Sequence, residues 1–245
     1  MTAVRGAGLA FDAALDRYTR NDVIVLNYHV HIPAPDPMVN PSVVKRREFY
    51  SVNSSPSYFF DGDADGGGGG ADNAKSIFES KVDPTIAKHL AEQPGARIKL
   101  RASSTGSMVK VRADVSKVAS TSDKLRLQIA LAEDVVTYSG ENGERFHPMV
   151  VRSMALDAKS DQGFALKPGK GGTFEYTFDI AKAVADAKAH LENFEKVERK
   201  GEYTFRQKKH EITGALVVVA FVQDEATKKV LQATYLKPQG ATGAQ

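Results

Sequence analysis

The sequence predicts a small α/β layered unit followed by a mainly-β sandwich, divided at Gln93-Pro94-Gly95. Three observations carry this. Before Pro94, helical and strand-like patterns alternate, as in a layered α/β unit. After it, apolar residues recur at every second position through several short segments, the pattern of many strands separated by turns. The dipeptide Pro94-Gly95 is itself a helix stop followed by a turn. The expected organisation is an α/β domain over 1–93, a β-sandwich with one inserted helix over 94–237, and a flexible tail over 238–245.

In the first part Leu9, Phe11, Leu15 and Tyr18 form an apolar stripe near helical spacing, ended by Asn21-Asp22. Val23 to Tyr28, VIVLNY, is a continuous run rich in β-branched residues, which predicts a strand buried on both faces of a parallel sheet. Asn40 before Pro41 is a cap followed by a first-turn proline, opening a helix that carries Val43, Val44, Phe49 and Tyr50. Ser54-Ser55-Pro56 breaks that pattern, and Ser57 to Phe60 reads as a short strand. Asp61 to Asp72, DGDADGGGGGAD, reads as a flexible loop. Helix resumes over Asn73 to Gln93, with Asp83-Pro84 marking a kink or restart.

In the second part Ile98, Leu100 and Ala102 make one alternating face, Val109 to Val115 a second, and Leu125 to Leu131 a third. Phe174 to Ile180 continues the period, Ala181 to Val197 is the inserted helix, and Leu216 to Val222 with Leu231 to Tyr235 forms a hairpin over Asp224 to Lys229.

Composition narrows the function. The chain has 245 residues, 42% hydrophobic and 26% charged, in the ordinary globular range. It has no cysteine, which excludes disulfides, thiolate metal sites and cysteine nucleophiles. The net charge is +3, with 9 basic against 12 acidic residues before Pro94 and 24 against 18 from there on. That tilt is dispersed, without the basic patch that nucleic acid requires. No apolar run approaches the roughly 18 residues of a membrane span, and Met1 to Gly8 lacks the apolar core of a secretory signal.

The stretch Phe49 to Gly62, FYSVNSSPSYFFDG, resembles the thioredoxin superfamily: a helix end, small residues, a proline and a hydrophobic strand. The Leu9-Ala10-Phe11-Asp12 helix, VIVLNYHVHIPAPDP, RFHPMVV and VVVAFVQDEATKKVLQATYL extend the similarity to bacterial exported thioredoxin-like proteins with a C-terminal β-sandwich. The resemblance implies a thioredoxin-like domain over 1–93, a periplasmic or extracellular location and a cis bond at Ser55–Pro56, with Pro56 positioning a substrate backbone. Ser55 stands where the family usually has threonine or valine. The family's C-x-x-C opens the first helix, where a helix N-terminus lowers a thiol pKa. Counting back from Leu9, the two cysteine positions fall on Met1 and Val4. The strand that precedes that helix is absent as well, so the expectation is an N-terminally incomplete domain or one that has lost strand and cysteines. In both readings this chain has no thiol–disulfide exchange activity and serves as a scaffold or protein-interaction surface, with a protein or peptide partner. A longer parent with an upstream C-x-x-C would carry the exchange.

Other constellations are weighed on their residues. Asp61, Asp63 and Asp65 with Gly66, and Asp72 at the twelfth place, match the front of a calcium loop; the alternative reading is a solvated loop. No cofactor is expected unless calcium binds there, and calcium would make the chain an extracellular binding module. His29 and His31, one residue apart at a strand end, would face one side as two metal ligands or as polar caps. His147, between Arg145 and Arg152, could hold an anion or pin a loop.

Overall fold

The computed structural model describes residues 2–67, 73–140, 143–158 and 162–240, with backbone alone for 2–7 and 64–67. It is mixed α/β, mostly β, with antiparallel sheets. The helices are α1 (Thr2–Arg17), α2 (Pro41–Tyr50), α3 (Ala74–Ile77), α4 (Asp83–Leu90) and α5 (Ile180–Asn193). The strands are β1 (Ser57–Phe60), β2 (Asp63–Gly67), β3 (Arg97–Thr105), β4 (Met108–Ser116), β5 (Leu125–Thr137), β6 (Phe146–Met154), β7 (Phe164–Ala165), β8 (Gly172–Asp179), β9 (Leu216–Asp224) and β10 (Val230–Leu236). None of the described helices is long and apolar enough to cross a membrane.

Two sheets face each other. The larger runs β10-β9-β5-β6, with β7 paired to β5, and the smaller runs β3-β4-β8. Alternation decides which face each side chain takes. Leu125, Leu127, Ile129 and Leu131 of β5 and Val218, Ala220 and Val222 of β9 meet Val109, Val111, Ala113 and Val115 of β4 between the sheets. The residues in between, Ala130, Ala132, Val217, Val219 and Phe221, line the opposite face of the larger sheet. That face is covered too. Val43 of α2 packs there, with Ile24, Leu26, Tyr28 and Val30 beside it, so residues on either side of Pro94 share one cluster.

Polar bonds fix α2 on this floor. Asn40 caps it by accepting from the Val43 amide, and its side-chain amide donates to the Val151 carbonyl at 2.8 Å. The Ser42 hydroxyl accepts from the Met154 amide, and buried Arg46 donates to Gln223 Oε1 at 2.8 Å while lying against the rings of Phe49, Tyr50 and Phe221.

Two expectations are corrected before Pro94. Val23–Tyr28 is not a strand of a parallel sheet. Asn27 alone bridges Val150, donating to the Met149 carbonyl and accepting from the Val151 amide, both at 3.0 Å. The run is apolar because its alternate residues cover the outer face of the larger sheet. The sheet described before Pro94 is instead the antiparallel pair β1–β2. Its connection is Asp61-Gly62, with φ of 47° and 94°, so the start of the aspartate–glycine stretch is a two-residue hairpin rather than a loop. Gly62 is required twice over: by its left-handed φ, and because a Cβ would fall 1.8 Å from the Lys228 carbonyl oxygen. Downstream, a π-helical turn over Phe78–Val82 joins α3 to α4, whose first turn holds Pro84. The missing amide of Pro84 accounts for the restart.

Candidate functional site

The segment after the Asn27 bridge carries the histidines into two different settings. The His29 ring donates from Nδ1 to Asp36 Oδ2 at 2.7 Å and meets the His147 ring edge-on at 5.2 Å. The His31 ring points elsewhere. It stacks on Phe194 at 3.9 Å and lies parallel to His190 at 6.0 Å. Apart from Asp36, which touches both, the two rings have separate neighbours. Among the described residues no group of three or more histidine, aspartate or glutamate side chains is placed to hold a metal ion.

Asp36 organises both rings. Its carboxylate accepts from His29 Nδ1 and from the Met38 amide, while its own amide donates to His31 Nδ1 at 3.0 Å. Burial alone would raise the Asp36 carboxyl; His29, the Met38 amide and His147 outweigh it and hold it below the ordinary range. His147 is buried and donates from Nε2 to the Tyr138 carbonyl at 3.0 Å, and burial with His29 nearby depresses its basicity. Its neighbour Arg152 is spent on buried Glu133, at 2.6 and 2.8 Å. Glu133 also accepts from the Thr213 and Gly214 amides, so this cluster fastens the chain entering β9.

A cavity of about 300 Å³ opens where α2 passes α5. Val44 and Arg47 come from α2, His190 from α5, Phe194 and Glu198 from the π-helical turn Phe194–Glu198, Arg199 from just beyond it, and His31 from the N-terminal segment. Single π-helical turns inside helices recur at functional sites, because the extra residue re-aims side chains. Nε2 of His31 and Nε2 of His190 are both buried and, among the described residues, lack a hydrogen-bond partner. Burial pushes His31 down to about 4, with His190, Arg199 and Arg47 adding to the effect against the opposing pull of Asp36. His190 is lowered by burial as well, against the pull of Glu198.

Of the remaining sequence candidates, the Ser55–Pro56 bond is cis, as is Ile32–Pro33. Ser54 beside it is exposed, and the Ser57 hydroxyl donates to the Ser54 carbonyl at 2.7 Å. Val4 lies in the backbone of α1, and Met1 lies outside the described residues. Asp61 pairs with His89 Nδ1 at 3.2 Å, while the backbone of Asp63 and Asp65 lies in β2; Asp72 is outside the described residues. Of these lining residues, sequence pattern points to His31 and not to Arg47, His190, Phe194 or Arg199. The available signal was the i, i+4 spacing of His190, Phe194 and Glu198, which places them on one helix face.

No protein-family model matches the chain, and no curated protein matches it. A domain of the outer membrane lipoprotein Omp28 from Porphyromonas gingivalis is similar in structure over 60% of this chain and 90% of that one, at 19% identity and a TM-score of 0.33. So slight a likeness leaves the description of the fold to the elements above.

Proposed function

We propose that this is a thioredoxin-like protein of thiol–disulfide oxidoreductase descent, working on the periplasmic or extracellular side as a redox-silent protein-interaction scaffold. The observation that carries this reading is the absence of any cysteine from a sequence whose proline loop and flanking elements otherwise resemble that superfamily. Without a thiolate no exchange takes place, and what is left to the loop is contact with an unfolded backbone. Exposure of Ser54 and half-burial of Ser55 and Pro56 suit that contact. Titrating an unfolded, cysteine-free peptide into isotope-labelled protein tests it. Saturable shifts of the Ser54, Ser55 and Ser57 amides support the reading, provided insulin reduction stays at background. Unchanged amides at saturating peptide would sink it.

The second reading is an extracellular module with a calcium clip at the aspartates. The observation favouring it is the Asp61 carboxyl, raised by burial and by the neighbouring Glu92 and Asp63 against the pull of His89 and Lys229. A bound cation would relieve that crowding, and calcium titration calorimetry decides.

A further inference from the structure

We infer that the cavity between α2 and α5 is a binding site for a small organic carboxylate, held by the His31 imidazole and the guanidinium groups of Arg47 and Arg199. The inference stands independently of the scaffold reading. It starts from a proton. The Asp36 amide donates to His31 Nδ1, so that nitrogen offers its lone pair and the neutral ring carries its hydrogen on Nε2. That Nε2–H is buried and unpartnered. A buried donor without an acceptor is costly, and a site that leaves one open invites a ligand to fill it. Stacking on Phe194 at 3.9 Å fixes the ring plane, so the donor is preorganised rather than free to turn away.

The same proton decides against a metal. A cation at His31 Nε2 would need the lone pair that the proton occupies, and it would sit beside two guanidinium groups. Among the described residues neither Arg47 nor Arg199 forms an ion pair with a carboxylate. Arg47 spends only its Nε, on the Val52 carbonyl at 3.1 Å, and Arg199 lies against the Phe194 ring at 5.1 Å. The lining thus offers donors and positive charge to an oxygen acceptor. Glu198 on the rim offsets one of the two cations, which favours a singly charged carboxylate over a doubly charged phosphate. Val44 and the Phe194 ring supply an apolar wall for a short carbon body, and about 300 Å³ is at the lower end for a small-molecule pocket.

The carboxylate could belong to a free acid or to an acidic side chain of a peptide, and two titrations separate them. Isotope-labelled protein at neutral pH is titrated with butyrate, with an end-blocked peptide containing one glutamate, and with inorganic phosphate, following the ring signals of His31 and His190. Saturable shifts with butyrate or the peptide, with His31 still protonated on Nε2, support the assignment, and the tighter of the two identifies the source. Arg199→Gln, at an exposed position, is expected to weaken binding about tenfold, while Glu198→Gln strengthens it. His190→Gln serves as a second variant and is also expected to weaken it. The inference is overturned if neither carboxylate shifts the rings, if phosphate binds more tightly than both, if Arg199→Gln binds as the parent does, or if zinc displaces the His31 Nε2 proton.

Discussion

Two apolar runs that look alike in sequence behave differently in the fold. Leu216–Val222 and Val23–Tyr28 are both continuous and rich in β-branched residues. The first lies in β9, hydrogen-bonded to β5 on one side and β10 on the other and buried at every residue. Among the described residues the second is bonded to the sheet through Asn27 alone, and its side chains are half-buried throughout. The difference teaches that an apolar run reports where side chains go and is silent about the backbone. β9 is apolar on both faces because each face of the larger sheet is covered. Val23–Tyr28 is apolar because it is part of that cover.

Several substitutions separate the two regions. The largest effect is expected at the polar pin that β9 has at its entry and the N-terminal run lacks. Arg152→Met leaves the Glu133 carboxylate buried without its cation, and a loss of about 3–5 kcal/mol is expected in chemical denaturation. Next come two matched truncations. Leu127→Ala, in the fully buried layer between the sheets, is expected to cost about 2–5 kcal/mol. Leu26→Ala, in the half-buried cover, is expected to cost only about 1 kcal/mol, since most of the 1.5–3 kcal/mol of a full burial is never gained there. Equal costs would mean that the cover is as integral as the core. Asn40→Ala removes the α2 cap and the bond to Val151, for about 0.5–2 kcal/mol, and should loosen α2 from the sheet without unfolding the sandwich.

A pH dependence accompanies these losses. His31 is lowered from 6.5 to about 4, so between those values the unfolded chain binds a proton that the folded chain does not. Its contribution to stability is therefore complete above pH 6.5 and is lost as the pH falls toward 4. His147 and His190 are lowered too and act in the same direction. Denaturation midpoints measured across that window should fall on acidification, and His31→Gln should flatten the slope.

The sandwich was legible because period-two alternation is a local property: β4 and the Leu125–Leu131 part of β5 alternate in sequence, while β9 is an unbroken apolar run beside its hairpin partner. The Asn40-Pro41 helix start was legible for the same reason, since a cap and its first turn are adjacent in sequence. What misled was the absence of partners from the string. VIVLNY carries the composition of a laddered strand, and nothing within it says that the larger sheet lies beside it. Asp61-Gly62 is a hairpin signal in its own right, but the glycines and aspartates after it made the whole stretch read as loop. The cavity was out of reach for a different reason. His31, Arg47, His190 and Arg199 come from distant parts of the chain, and an unpartnered Nε2 exists only in three dimensions.

Amide hydrogen exchange distinguishes a Val23–Tyr28 run docked by its side chains from sandwich strands held by a backbone ladder. Among the described residues the amides of Ile24, Val25 and Leu26 have no backbone acceptor, whereas β5 is paired with β9 along Leu125–Leu131. Exchange at Ile24, Val25 and Leu26 is expected to proceed by local opening, far faster than at Leu127, Ile129 and Leu131, with Asn27 slower than its neighbours because it donates to Met149. Protection of Ile24 to Leu26 equal to that of β5 would show that the run belongs to a sheet after all, and would contradict the account.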